Sequence, residues 1–119
     1  MLENISILVV EDEPFTALDI AMEVEGACGT VVGPASSVSQ ALELINKSEV
    51  NGAVLDVHLT DGDVAPVATQ LSILGVPFLF HCGAGLTPEL KAQYPNADVY
   101  LKPTAPYSLV KALASLVRS

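Results

Sequence analysis

Charged residues that could share one chemical task stand at three separate points of the sequence, each directly after a short apolar run. Glu11 and Asp12 follow the first run, Asp56 follows a middle one and Lys102 follows the last. Apolar runs of this length predict buried parallel strands, because both faces of such a strand are dry. The carboxyl ends of parallel strands lie at one edge of an open α/β sheet, where such sheets bind their ligands. We therefore expect three carboxylates and one ammonium to meet at that edge.

The predicted cluster has the composition of a phosphoryl-transfer site. Crowded carboxylates repel one another unless a cation joins them, and their hard oxygens suit Mg²⁺ or another divalent cation. Asp56 is expected to be the nucleophile that accepts a phosphoryl group, and Lys102 is expected to bring a second positive charge to it. Phosphoryl transfer depends mainly on positioning and on charge stabilisation. The predicted cluster would supply both.

Five apolar runs alternate with five helical stretches along the 119 residues. The strands are predicted at Ile5–Val10, Thr30–Gly33, Asn51–Asp56, Val76–Cys82 and Asp98–Leu101. The helix starts are marked by residues typical of an N-cap or a first turn, namely Pro14, Ser37, Asp63, Thr87 and Pro106. Ser37 and Gln40 form a capping box. This alternation predicts right-handed βαβ units, and hence a parallel sheet with helices on both of its faces.

Apolar residues at helical spacing support these helices. Phe15, Leu18 and Met22 follow one another at this spacing, and Gly26 or Gly29 is expected to end the first helix. The last helix has an apolar stripe that is expected to pack in the core, formed by Leu109, Val110, Leu113, Leu116 and Val117.

The composition limits the classes of function. A net charge of −9, with only five scattered Lys and Arg residues, argues against nucleic-acid binding by this domain. No apolar run approaches the roughly 20 residues of a membrane helix, and the N-terminus lacks the basic region of a signal peptide. These features favour a soluble cytoplasmic protein without a membrane partner. Cys28 and Cys82 form no CxxC pair and are expected to be reduced thiols.

The motifs together resemble the receiver domain of bacterial two-component response regulators. The resemblance is carried by Ile7–Pro14, Leu55-Asp56 and Lys102-Pro103, in this order and at these strand ends. It extends over essentially the whole chain, which implies a single receiver domain over residues 1–119. It also implies a flavodoxin-like (βα)5 fold, a three-layer sandwich around a parallel five-stranded sheet of order 2-1-3-4-5. The stretch Phe80–Gly83 is similar to the Phe-Ala-Thr-Gly motif of a subgroup of stand-alone receivers.

The resemblance implies a role for each matching residue. Asp56 matches the phosphoacceptor, which takes its phosphoryl group from a histidine kinase or a phosphotransfer protein. Asp12 matches the direct Mg²⁺ ligand, and Glu11 matches a neighbour that often acts through water. His58 matches the position whose backbone carbonyl binds the metal, so its side chain is not implicated. Lys102 matches the phosphate-binding lysine, and the bond after it is often cis in the family.

Two switch positions depart from the family pattern. Cys82 stands where a Thr or Ser hydroxyl usually bonds the phosphoryl group, and a thiol is a weak donor. Val99 stands where a rotating aromatic residue is common, and Tyr100 is expected on the opposite face of its strand. These departures support an alternative, a degenerate receiver that binds a protein partner without phosphorylation. We expect a phosphoacceptor with self-catalysed transfer and dephosphorylation rather than a conventional enzyme.

The sequence also allows other interpretations of the chain and of single residues. A small flavin-binding electron carrier shares the topology, but Glu11 and its acidic neighbours would repel a flavin phosphate. His58 and His81 are expected to be surface or loop histidines rather than ligands. Cys82 is expected to be a buried inert thiol, and a redox-sensitive thiol beside the site is the alternative.

Overall fold

The computed structural model describes residues 1–118, in which a five-stranded parallel sheet lies between two layers of helices. The sheet strands are β1 (Ser6–Val10), β2 (Thr30–Ala35), β3 (Gly52–Leu55), β6 (Phe78–Cys82) and β7 (Asp98–Leu101). A separate antiparallel hairpin joins β4 (His58–Leu59) to β5 (Gly62–Asp63). The helices are α1 (Pro14–Gly26), α2 (Val38–Lys47), α3 (Ala65–Ile73), α4 (Pro88–Gln93) and α5 (Pro106–Val117). The strand order β2-β1-β3-β6-β7 confirms the predicted 2-1-3-4-5 topology.

Two apolar cores lie on the two faces of this sheet, because successive strand residues point to opposite sides. On β1, Leu8 and Val10 face the core shared with α2 and α3, whereas Ile7 and Val9 face the core shared with α1 and α5. Every residue of β3 is buried. The strand that leads to Asp56 is therefore held on both faces.

The first helix is confirmed, but the residues that indicated it lie on its solvent side. Phe15, Leu18 and Met22 are 77%, 53% and 60% exposed. The residues of α1 that pack on the sheet are Ala17, Ile20, Ala21 and Val24. Apolar side chains thus occupy both sides of this helix, and spacing alone could not identify the buried side.

Helix starts follow the predicted caps with small differences. The Ser37 hydroxyl accepts from the Gln40 N–H at 3.1 Å, as the capping box predicts, but the Gln40 side chain accepts from the Ser36 N–H at 2.9 Å instead of from Ser37. The prediction that Asp63 is an N-cap is wrong in position, since α3 begins only at Ala65. Its carboxylate still accepts from the Ala65 N–H at 2.7 Å.

The β4–β5 hairpin is a feature that the sequence did not reveal beyond a turn. Asp61, at its tip, accepts from the backbone N–H groups of Val38 and Ser39 at 2.7 and 3.1 Å. These two bonds lower the pKa of the Asp61 carboxyl. The hairpin is thereby tied to the start of α2, beside the sheet edge that carries Asp56.

The two ends of the described chain meet at the opposite edge of the sheet. Arg118 lies 3.6 Å from the Glu3 carboxylate and donates to the Met1 carbonyl. The amino group of Met1 donates to the Ala27 carbonyl at 3.2 Å. Within residues 1–118, no helix combines the length and apolar character needed to cross a membrane.

Candidate functional site

The ends of strands β1, β3 and β7 fix the backbone of the site. The residue directly after each of these three strands continues the hydrogen-bond ladder, because its N–H donates to a carbonyl at the end of an adjacent strand. These bonds run from Glu11 to Ala35 (2.9 Å), from Asp56 to Val10 (2.8 Å) and from Lys102 to Cys82 (2.8 Å). The side chains therefore leave a rigid sheet edge rather than a free loop.

The three acidic residues meet as the sequence predicts. Glu11, Asp12 and Asp56 each place one carboxylate oxygen within 4.8 Å of the others. Glu11 and Asp56 are buried and Asp12 is exposed. Burial, and then the hydrogen bond and charge of Glu11, raise the pKa of Asp56. Partial desolvation, followed by the nearby Asp56 carboxyl, raises the pKa of Asp12. The folded chain thus gathers carboxylates at this sheet edge although the site disfavours their charged forms.

Lys102 closes the cluster from β7. Its ammonium lies 3.0 and 3.1 Å from the two oxygens of Glu11 and 3.3 Å from an oxygen of Asp56. Burial opposes the charge of this ammonium, but the bonds to Glu11 and Asp56 outweigh that effect and raise the pKa of Lys102. One cation therefore bridges two buried carboxylates, as expected for charges that leave water only in partnership.

The prediction that His81 is a surface or loop histidine is wrong, because His81 lies in β6 and is buried. Its side chain lies inside, with only 2% of the residue exposed, and its Nδ1 is 3.9 Å from a Glu11 oxygen. Burial, followed by the charge of Lys102, lowers the pKa of the imidazole. The signal that could have identified it is its place inside β6, where alternation directs it toward α1 and α5.

The remaining predicted residues lie around this cluster. Cys82 is a free, buried thiol whose pKa is raised by burial, which agrees with an inert thiol. Val99 is 39% exposed, while Tyr100 packs against the core on the opposite face, as predicted. His58 lies on β4 with an exposed side chain, as expected. The bond between Lys102 and Pro103 is cis.

The fold and the site together define the class of this protein. It is an α/β domain with an acidic cluster and a lysine at the carboxyl edge of its sheet. No family model matches the sequence. SdrG from Pseudomonas melonis Fr1, in its BeF3-activated conformation, is 33% identical with a TM-score of 0.75, and the match covers 98% of this chain and 99% of that one. The chain belongs to the receiver domains of response regulators, the proteins of two-component signalling.

Two further similarities agree with this family. The Phyllosphere-induced regulator PhyR of Methylorubrum extorquens is 35% identical over 77 residues, which are 62% of this chain and 29% of that protein. The crystal structure of the response regulator PhyR from Brucella abortus is 30% identical with a TM-score of 0.74. That match covers 94% of this chain and 46% of the PhyR chain, so the chain spans less than half the length of these relatives.

Proposed function

We propose that Asp56 accepts a phosphoryl group from a histidine kinase or a phosphotransfer protein. The observation that carries this proposal is the convergence of Glu11, Asp12, Asp56 and Lys102 at one sheet edge. Nothing in the packing of the apolar cores needs three carboxylates there, and raised pKa values at Asp12 and Asp56 mean that the folded state tolerates them at a cost. Titratable groups whose pKa values are raised by burial and by one another are typical of functional sites.

The acidic cluster fits a divalent cation. Its donors are hard carboxylate oxygens within 4.8 Å of one another, and exposed Asp12 leaves room for the water ligands that Mg²⁺ retains. We assign Glu11, Asp12 and Asp56 as the side chains that would hold Mg²⁺, with the backbone carbonyl of His58 as a further ligand. When bound, the cation would neutralise charge on the carboxylates and on the transferred group.

The chain's own residues account for the rest of the transfer. A carboxylate oxygen of Asp56 attacks the phosphorus of a phosphohistidine, an O–P bond forms, and the N–P bond breaks with its electron pair returning to the imidazole. Lys102, already 3.3 Å from Asp56, is placed to bond the incoming phosphoryl oxygens. Its fixed positive charge meets negative charge that grows on the transferred group, which is how preorganised sites accelerate such reactions. Cys82 offers this group at most a weak donor.

The phosphoryl donor must cover the surface beside Asp56, and α1 offers an apolar area there. Phe15, Leu18 and Met22 form a ridge along the exposed side of this helix, which begins two residues after Asp12. A donor presenting an apolar helical face would bury this ridge while its phosphohistidine reaches Asp56. The ridge supports a protein donor over a small-molecule donor.

The proposal is tested by adding Mg²⁺ and a small acyl phosphate and measuring the intact mass. We expect a gain of one phosphoryl group by the wild type, and none by Asp56→Asn. Asp98→Asn makes the same charge change at an exposed site and should still be phosphorylated. No gain by the wild type with small or protein donors, with partner binding intact, would instead support the degenerate receiver.

A further inference from the structure

His81 carries two buried polar atoms that residues 1–118 leave without a hydrogen bond, Nδ1 and Nε2. Buried polar groups are nearly always paired, so an unpaired one calls for an explanation. An oxygen of the Glu11 carboxylate lies 3.9 Å from Nδ1, which is too far for a hydrogen bond. A shift of about 1 Å would bring the pair to bonding distance.

Lys102 contacts both carboxylate oxygens of Glu11 in this structure, and the Glu13 N–H donates to one of them, Oε2. The ammonium contacts both Glu11 oxygens, at 3.0 and 3.1 Å, and reaches Asp56 at 3.3 Å. A phosphoryl group on Asp56 would be the strongest anion within reach of that ammonium. If Lys102 turns to the phosphoryl group, Oε1 of Glu11 loses this donor, whereas Oε2 still accepts from the Glu13 N–H at 3.2 Å.

We propose that His81 is a positioning residue that donates a hydrogen bond to Glu11 when Lys102 turns toward the phosphoryl group on Asp56. The neutral imidazole donates its Nδ1–H to the freed Glu11 oxygen and holds that carboxylate in its place in the metal site. The bond would replace the lost lysine contact at a carboxylate that is almost fully buried. This inference rests on the proposed function, since it needs phosphorylation of Asp56.

The surroundings of His81 leave room for this movement. The imidazole borders a cavity of about 320 Å³ between α1 and the segment after β7, where Thr16 and Ile20 also lie. On β7, Tyr100 is its register partner and fixes the backbone beneath it. Lys102 lines the same cavity, so the imidazole borders free space on the side from which Lys102 would move.

Nuclear magnetic resonance of the wild type tests the bond directly. Beryllofluoride with Mg²⁺ serves as the probe, because it mimics a phosphoryl group on a carboxylate. We expect an imidazole Nδ1–H resonance, exchange-broadened in the free protein, to become sharp and shift downfield when both are added. If Mg²⁺ and beryllofluoride bind without changing this resonance, the role proposed for His81 is refuted and the proposed function is not. Failure of the wild type to bind them would overturn the proposed function as well.

Three variants separate positioning from packing. His81→Leu removes the donor, and we expect it to fold and to need about 10-fold more Mg²⁺ for half-maximal beryllofluoride binding, as for loss of a partner behind a metal ligand. His81→Asn places an N–H near Nδ1 and should restore most of the affinity, whereas His81→Gln places it near Nε2 and should not. Equal affinities in all three variants would refute the proposal, and the wild-type resonance decides if any of them fails to fold.

Discussion

Replacing Asp56 by Asn should stabilise the metal-free protein, although it removes the proposed phosphoacceptor. Asp56 is buried, and its carboxylate lies within 4.8 Å of those of Glu11 and Asp12. Lys102, at 3.3 Å, supplies the compensating attraction within the cluster. The amide keeps the shape of the side chain and removes its charge. The sign of the effect therefore depends on whether repulsion or attraction is larger.

The distances indicate that repulsion is larger. At an effective dielectric constant of about 20, two charges at the 4.8 Å upper limit of these distances repel by about 3.5 kcal/mol, and Asp56 has two such neighbours. On the same scale its attraction to Lys102 at 3.3 Å is about 5 kcal/mol, which leaves a net repulsion of about 2 kcal/mol. Solvent screening of exposed Asp12 reduces this value, while the desolvation of Asp56 increases it. We expect the free energy of unfolding to rise by about 2 kcal/mol, or Tm by about 6–10 °C.

Urea and thermal unfolding in the presence of a chelator measure this difference. Asp98→Asn, which removes an exposed carboxylate, should leave stability almost unchanged. Because the pKa of Asp56 is raised, the folded protein binds this proton more readily than the unfolded chain does. The free energy of unfolding of the wild type should therefore approach that of the variant as pH falls through that raised pKa. A variant that is less stable than the wild type at neutral pH, or a gap that does not narrow in acid, would refute the reasoning.

Three further predictions concern the surroundings of the site. Asp61→Ala should lower stability at neutral pH, because the Asp61 carboxylate accepts from the N–H groups of Val38 and Ser39. Since the pKa of Asp61 is lowered, this contribution disappears in strong acid, where the denaturation curves of the two proteins should coincide. Cys82→Thr should prolong the lifetime of the phosphorylated state by adding a hydroxyl donor, and an unchanged lifetime together with unchanged partner affinity would count against a role for this position. Phe15→Ser should slow phosphorylation by a protein donor several-fold without affecting a small acyl phosphate; equal slowing of both reactions would show that the ridge on α1 is not a docking surface.

The sequence predicted the sheet and the meeting of charges because both follow from strong local signals. Apolar runs that end in Asp12, Asp56 and Lys102 identify buried strands and their carboxyl ends, and parallel pairing then brings those ends together. The family resemblance supplied the strand order. Neither step required knowledge of side-chain contacts, which is why both were confirmed.

The errors occurred where tertiary packing decides between two local possibilities. The apolar residues on both sides of α1 left its buried side undetermined, and Phe15 proved exposed. His81 is polar, so its type favoured the surface, but its strand position places it beneath α1 and α5. The β4–β5 hairpin has only two residues in each strand, too few for a period-2 pattern to show.

The contact between Met1 and Arg118 has a consequence for engineering this domain. Both lie at the amino edge of the sheet, while Asp56 lies beyond the other end of the strands, about 16 Å away for a five-residue strand. Reporters attached next to Met1 or Arg118 would leave the acidic cleft uncovered, and two reporters would lie side by side as a pair suited to energy transfer. Because neighbouring ends favour circular permutation, a short linker across them should allow the domain to be reopened at a distant loop with its chemistry intact.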